Sequence, residues 1–194
     1  MKAERIRRKM KRWKIEGPPK ESAPAFVACR VERHLKQLSN LVAPRVHAAV
    51  LSTIFNRWTT ARRFQRRGCI SNQCWLGCDA GCEDSIEHYA KCPTLRDFSI
   101  AVFSMREIDL DIGIFTMAVT TCGLPDMLTK IAILVYAAYT VTNSNRARGE
   151  RPVRKDYAMD ALKQASINAV AGHSKSMKVL DNVFSHNSNK RRRR

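Results

Sequence analysis

No stretch of this 194-residue chain is apolar for long enough to cross a membrane. Its most apolar run, Ile131 to Val141, falls well short of the roughly 20 residues a helical span needs, and reads as a buried helix. The first residues, MKAERIRRKMKRWK, lack an apolar h-region, so no secretory leader is expected. Acidic residues are scarce: 17 Asp and Glu stand against 35 Lys and Arg, a net charge of +18. Such an excess disfavours self-association and draws a protein to polyanions, nucleic acid first and an anionic membrane surface second. An even, spread-out set of cysteines is also missing. There are seven, five of them between Gly68 and Pro93, whereas a secreted disulfide scaffold spaces an even number along the chain. The expectation is a reducing intracellular compartment, the nucleus ahead of an organelle or the cytoplasm. Apolar material is not lacking: at 44% it suffices for a globular core.

The periodicity predicts a mainly α fold, a small helical domain organised around a zinc knuckle with basic N- and C-terminal arms. Residues 1–24 read as a basic arm and linker, 25–173 as the helical domain with the knuckle at 68–95, and 174–194 as a disordered basic tail. In the arm, Ile6, Met10 and Trp13 form a narrow apolar stripe on a cationic helix, able to lie on a partner, nucleic acid or a membrane surface. A helix over 25–40 has Phe26, Val31, Leu35 and Leu38 as inward candidates. The next, opened by Pro44 and running to about Gln65, carries Val50, Leu51, Ile54, Phe55, Trp58 and Ala61 on one side. Helices follow over 95–105, over 126–145 as the central core element, and from Pro152 to about Gly172 with an alanine stripe; 108–120 is ambiguous, its alternating Ile108, Leu110, Ile112 and Ile114 resembling a short strand while its surroundings favour a helix.

Chemistry concentrates in GCISNQCWLGCDAGCEDSIEHYAKCP. Cys74 and Cys78 are separated by three residues, as are His88 and Cys92, a spacing that lets thiolates and an imidazole share one tetrahedral zinc ion. The preferred set is Cys74, Cys78, His88 and Cys92, with Cys82 as an alternate ligand and Cys69 as a spare thiol. Four protein ligands leave no position for an activated water, which makes the site structural rather than catalytic. Asp79, Glu83, Asp84 and Glu87 give the knot an acidic surface. It is then expected to clamp the basic end of the preceding helix rather than to grip phosphates. Nucleic-acid contact is expected from Arg57, Arg62, Arg63, Arg66 and Arg67, and from the link carrying Arg146, Arg148, Arg151, Arg154 and Lys155. The closing run Lys190–Arg194 suits either a nuclear import signal or a polyanion-binding arm.

The run Glu83-Asp84-Ser85-Ile86-Glu87-His88-Tyr89, followed by Cys92-Pro93, resembles the zinc-binding segment after the polymerase domain of non-long-terminal-repeat retrotransposon reverse transcriptases. Phe55-Asn56-Arg57-Trp58 and Ala61 to Gln65 resemble the helix before that segment, and 134–146 is more weakly similar. The first cysteine pair departs from the family's two-residue spacing, and no adjacent Asp-Asp polymerase motif is present. The resemblance implies a detached module that binds RNA or DNA without polymerase activity. The expected function is therefore non-catalytic nucleic-acid binding, RNA ahead of DNA. The alternative is a structural component of a ribonucleoprotein particle such as a ribosome. A metal-dependent nuclease around Asp126 and Lys130 is the remote third.

Overall fold

The computed structural model describes residues 2–15, 23–61, 63, 73–78, 83–105, 110–119, 124–149 and 154–178, and eight helices among them build the fold. They are α1 (Lys2–Trp13), α2 (Pro24–Leu38), α3 (Pro44–Ile54), α4 (Ile86–Tyr89), α5 (Pro93–Phe103), α6 (Ile112–Phe115), α7 (Pro125–Arg148) and α8 (Lys155–Val170). The described residues contain no strand beyond one antiparallel bridge between Gln73 and Glu83. Proline at the first turn starts α2, α3, α5 and α7, where its fixed φ suits the helix and its missing N–H is no loss.

The 24-residue α7 is the axis. Leu128, Ile131, Ile133, Leu134, Val135 and Ala138 have no solvent exposure, so the helix is covered on every side, as a helix apolar all round must be. α8 lies along one flank through Ala158, Leu162, Ala165 and Ala169, the stripe read from the sequence, while α3 and α2 cover the other. Arg45 at the start of α3 reaches the last carbonyls of α8. It donates from Nη2 to Asn168 O and to the Ala171 carbonyl just beyond, at 2.6 Å each. A cation at a helix C-terminus is favourable there.

Four expectations are corrected. The N-terminal segment is not a free arm: Ile6, Met10 and Trp13 are buried against α2 and α3, and the Trp13 indole donates to Ile54 O at 3.1 Å. Phe26 points outward, 47% exposed, with Arg30 stacked over its ring. The third helix ends at Ile54, not near Gln65. Asn56 takes φ +53, a left-handed conformation that asparagine tolerates, and turns Trp58 away from the helix axis into the core. Finally, 174–178 form a helical turn with Ser176 buried, so the chain stays folded past Gly172; the rest of the C-terminal tail lies outside the described residues. Of the stretch 108–120, the described residues 110–119 contain the short α6. Its Asp111 carboxylate caps the helix by accepting from Ile114 N at 2.7 Å.

Candidate metal centre and the cations around it

Each ligand is placed by local chain chemistry. After the Gln73–Glu83 bridge, Cys74 to Cys78 form a tight turn in which Gly77 adopts φ +64, a conformation that costs glycine nothing. Ser85 caps α4, its hydroxyl accepting from His88 N at 3.1 Å, and so fixes the imidazole one residue before the helix ends. Cys92 is not on the same helix as His88. It is the N-cap of α5, in extended conformation ahead of Pro93, and a turn closed by Lys91 N to His88 O at 2.8 Å brings it back beneath the histidine.

The four side chains converge. Cys74 Sγ and Cys92 Sγ are 3.8 Å apart, Cys78 Sγ and His88 Nε2 are 3.3 Å apart, and all four atoms lie within 4.8 Å of one another. A tetrahedron with metal–sulfur bonds near 2.3 Å and metal–nitrogen bonds near 2.0 Å places two sulfurs about 3.8 Å apart and sulfur and nitrogen about 3.5 Å apart. A disulfide would need about 2.05 Å. The geometry fits a shared metal ion and excludes a Cys74–Cys92 bond. Cys74 and Cys92 are buried, Cys78 and His88 half-buried, so the cluster opens to solvent on one side only. The Leu76 amide donates to Cys74 Sγ at 3.4 Å, support of the kind thiolate ligands receive.

The hydrogen bond between Cys74 and Cys92 holds the Cys92 thiol down to about 4, against its burial and with help from His88. The same bond, with burial, pushes Cys74 up. The first proton leaves readily and the second does not, and a metal cation bound between the sulfurs would displace it.

Behind the cluster sits a polar network that sequence reading missed. Asp84 was counted among the acids on the surface of the knot, yet it has no exposure. Its Oδ1 accepts from the Tyr89 hydroxyl at 2.7 Å and its Oδ2 from Ala61 N at 2.8 Å. Arg146 of α7 donates to both oxygens, Nη2 to Oδ1 at 2.7 Å and Nε to Oδ2 at 2.9 Å. The Tyr89 hydroxyl also accepts from Trp75 N at 3.3 Å, and Asn145 Nδ2 donates to Trp75 O at 3.3 Å. Burial lowers the Arg146 pKa, but Asp84 and Tyr89 more than restore it. Tyr89 is pushed up by burial and by the Asp84 charge. Trp58 completes the support: its ring lies 5.5 Å from Tyr89 and from Tyr139 of α7, and its indole donates to Thr53 Oγ1 at 2.9 Å.

No family model, curated protein or solved structure matches the chain. The metal cluster rests on its own geometry.

The cations singled out in the sequence fare unevenly. Arg146 is not a surface residue: its guanidinium is spent on Asp84, because α7 continues to Arg148 and carries it over the knot. Arg148, Arg57, Arg63 and Arg154 are exposed, with Arg57 stacked on Phe55 and Arg154 3.7 Å from Asp156. Lys155 pairs with Asp97 at 2.6 Å. Arg62, Arg66, Arg67 and Arg151 lie outside the described residues, as do Cys69 and Cys82. The helix expected to run on to Arg62, Arg63, Arg66 and Arg67 ends at Ile54. Among the described residues the knot is tied to α7 through Arg146 and to the chain after α3 through Ala61 N. Asp126 is held by Lys130 one turn on, at 3.0 Å, as befits a first-turn acid.

Proposed function

We propose that this chain is a non-catalytic zinc protein that binds nucleic acid, RNA ahead of DNA, through the basic surfaces its zinc site helps to hold in place. Three sulfurs and one imidazole nitrogen at tetrahedral separations suit Zn²⁺, which has no geometric preference of its own and takes Cys₃His sets readily. With all four positions filled by protein, the ion would polarise no substrate. Its role is to fix the 73–92 segment, as structural sites do.

The observation that carries the nucleic-acid reading is the net charge of +18, combined with cations displayed outward on folded helices. Three thiolates and a neutral imidazole around a dication leave the knot about −1, so it repels rather than grips phosphate. The resemblance of 83–93 to the zinc-binding segment of retrotransposon reverse transcriptases points the same way. Binding of a fluorescent single-stranded RNA should weaken steeply with salt, log K falling with log salt by about 0.7 for each phosphate contact. Affinity unchanged from low to high salt would sink the reading.

A further inference from the structure

Among the described residues, α1 packs into the fold by its apolar stripe. Ile6, Met10 and Trp13 recur at four- and three-residue steps, and none is more than 4% exposed. At 3.6 residues per turn, burying that stripe turns Arg5, Arg8, Lys11 and Arg12 to the opposite side, and all four are exposed. Arg7 and Lys14 flank them. Glu4 is the one acid in the helix, 3.8 Å from Arg7. Arg12 leans over the Trp13 ring and hydrogen-bonds the Asn56 side-chain oxygen at 3.0 Å. Among the described residues no ion pair reaches Arg5, Arg8 or Lys11.

We propose that this outward face of α1 is a phosphate-binding surface for nucleic acid, holding chiefly the backbone. The proposal rests on the nucleic-acid reading above and gives it a place on the molecule. The face offers guanidinium and ammonium donors. It has no Asn or Gln to read an adenine edge and no aromatic ring on which a base could stack, which leaves an arginine or lysine contact to guanine as its one means of base readout. Arg5 to Arg12 covers about 10 Å of helix axis, the length over which a duplex strand presents about three phosphates. A membrane surface is the weaker occupant for a physical reason. Interfacial helices bury their apolar face among lipid chains, and the apolar face of α1 is already buried against α2 and α3.

The test compares two triple variants of the full chain that remove equal charge: Arg5→Gln/Arg8→Gln/Lys11→Gln on α1, and Lys163→Gln/Lys175→Gln/Lys178→Gln on the C-terminal helical segments. Gln keeps helix propensity, and every replaced side chain is exposed, so both should retain the wild-type circular dichroism. Anisotropy of a mixed-sequence single-stranded RNA is followed from about 50 to 200 mM salt. The α1 variant should show a salt slope shallower by about 2 and an affinity about 100-fold lower near 0.1 M. The other variant should stay close to wild type. Equal losses in both, or no loss in the α1 variant, overturn the α1 surface and leave the nucleic-acid reading standing. A wild-type chain that ignores RNA, or binds phosphatidylserine vesicles in its place, overturns both.

Discussion

Arg146 and Asp84 are 62 residues apart in the chain and meet through two parallel hydrogen bonds, with 2.7 Å between Nη2 and Oδ1 and 2.9 Å between Nε and Oδ2. The pair ties the segment that bears the metal ligands to the central helix. Both partners are desolvated, Asp84 fully, so breaking the pair from one side should be costly. Arg146→Met is expected to lower stability in urea by about 3–5 kcal/mol, because it strands a buried carboxylate. The double variant Asp84→Asn/Arg146→Met should lose clearly less than the sum of its single changes. An Arg146→Met protein within about 0.5 kcal/mol of wild type, the range of ordinary surface changes, would return Arg146 to the surface role its sequence suggests.

Metal content should follow the geometry. Purified wild-type chain is expected to carry one zinc per chain by elemental analysis, lost in Cys74→Ser, His88→Ala and Cys92→Ser. Cys82→Ser should keep it. Retention of zinc without Cys74, with loss on removing Cys82, would hand the ligand position to Cys82. A chelator should lower the melting temperature while leaving most helical circular dichroism intact, since α7 and the α2, α3 and α8 helices packed on it contribute no side chain to the site.

His34 gives the fold a pH dependence of its own. It is buried on α2, its Nδ1 2.8 Å from Met117 O, and burial lowers its pKa, reinforced by the nearby Arg30 and Arg33 although the Met117 carbonyl opposes the shift. The folded state then binds its proton less readily than the unfolded state. The contribution is fully present above the unfolded value of about 6.5 and is lost as pH falls towards the folded one. Stability of the wild type minus that of His34→Gln, measured in urea, should therefore shrink between about pH 7 and 5. A difference independent of pH would show that His34 binds its proton equally well in the folded and unfolded states.

Docking of α1 should depend on Trp13. Trp13→Ala is expected to cost about 3–5 kcal/mol and to expose 2–15 to proteolysis. Trp13→Phe, which keeps most of the ring but loses the bond to Ile54 O, should cost about 1 kcal/mol. Protease resistance unchanged in Trp13→Ala would mean that α1 is held by other contacts.

By itself the sequence marked most of the helices and four side chains able to share a metal ion. Both are local: a 3.6-residue apolar period marks α2, α7 and α8, and ligands within one short segment can close a site by turns alone. Cys74, Cys78, His88 and Cys92 were readable for that reason, and the structure brings the four together. The tertiary structure decided which surfaces face one another. The period that runs through Ile54, Trp58 and Ala61 cannot register a left-handed Asn56, so the helix seemed to continue where it stops. A stripe such as Ile6, Met10 and Trp13 shows that a helix has an apolar face but not whether a membrane, a partner or the protein's own core covers it; here α2 and α3 do. Nor does a lone aspartate reveal that its arginine lies four helices further on. Only the packing of the knot against α7 buries Asp84 with Arg146 and turns two apparent surface charges into the joint that holds the metal segment in place.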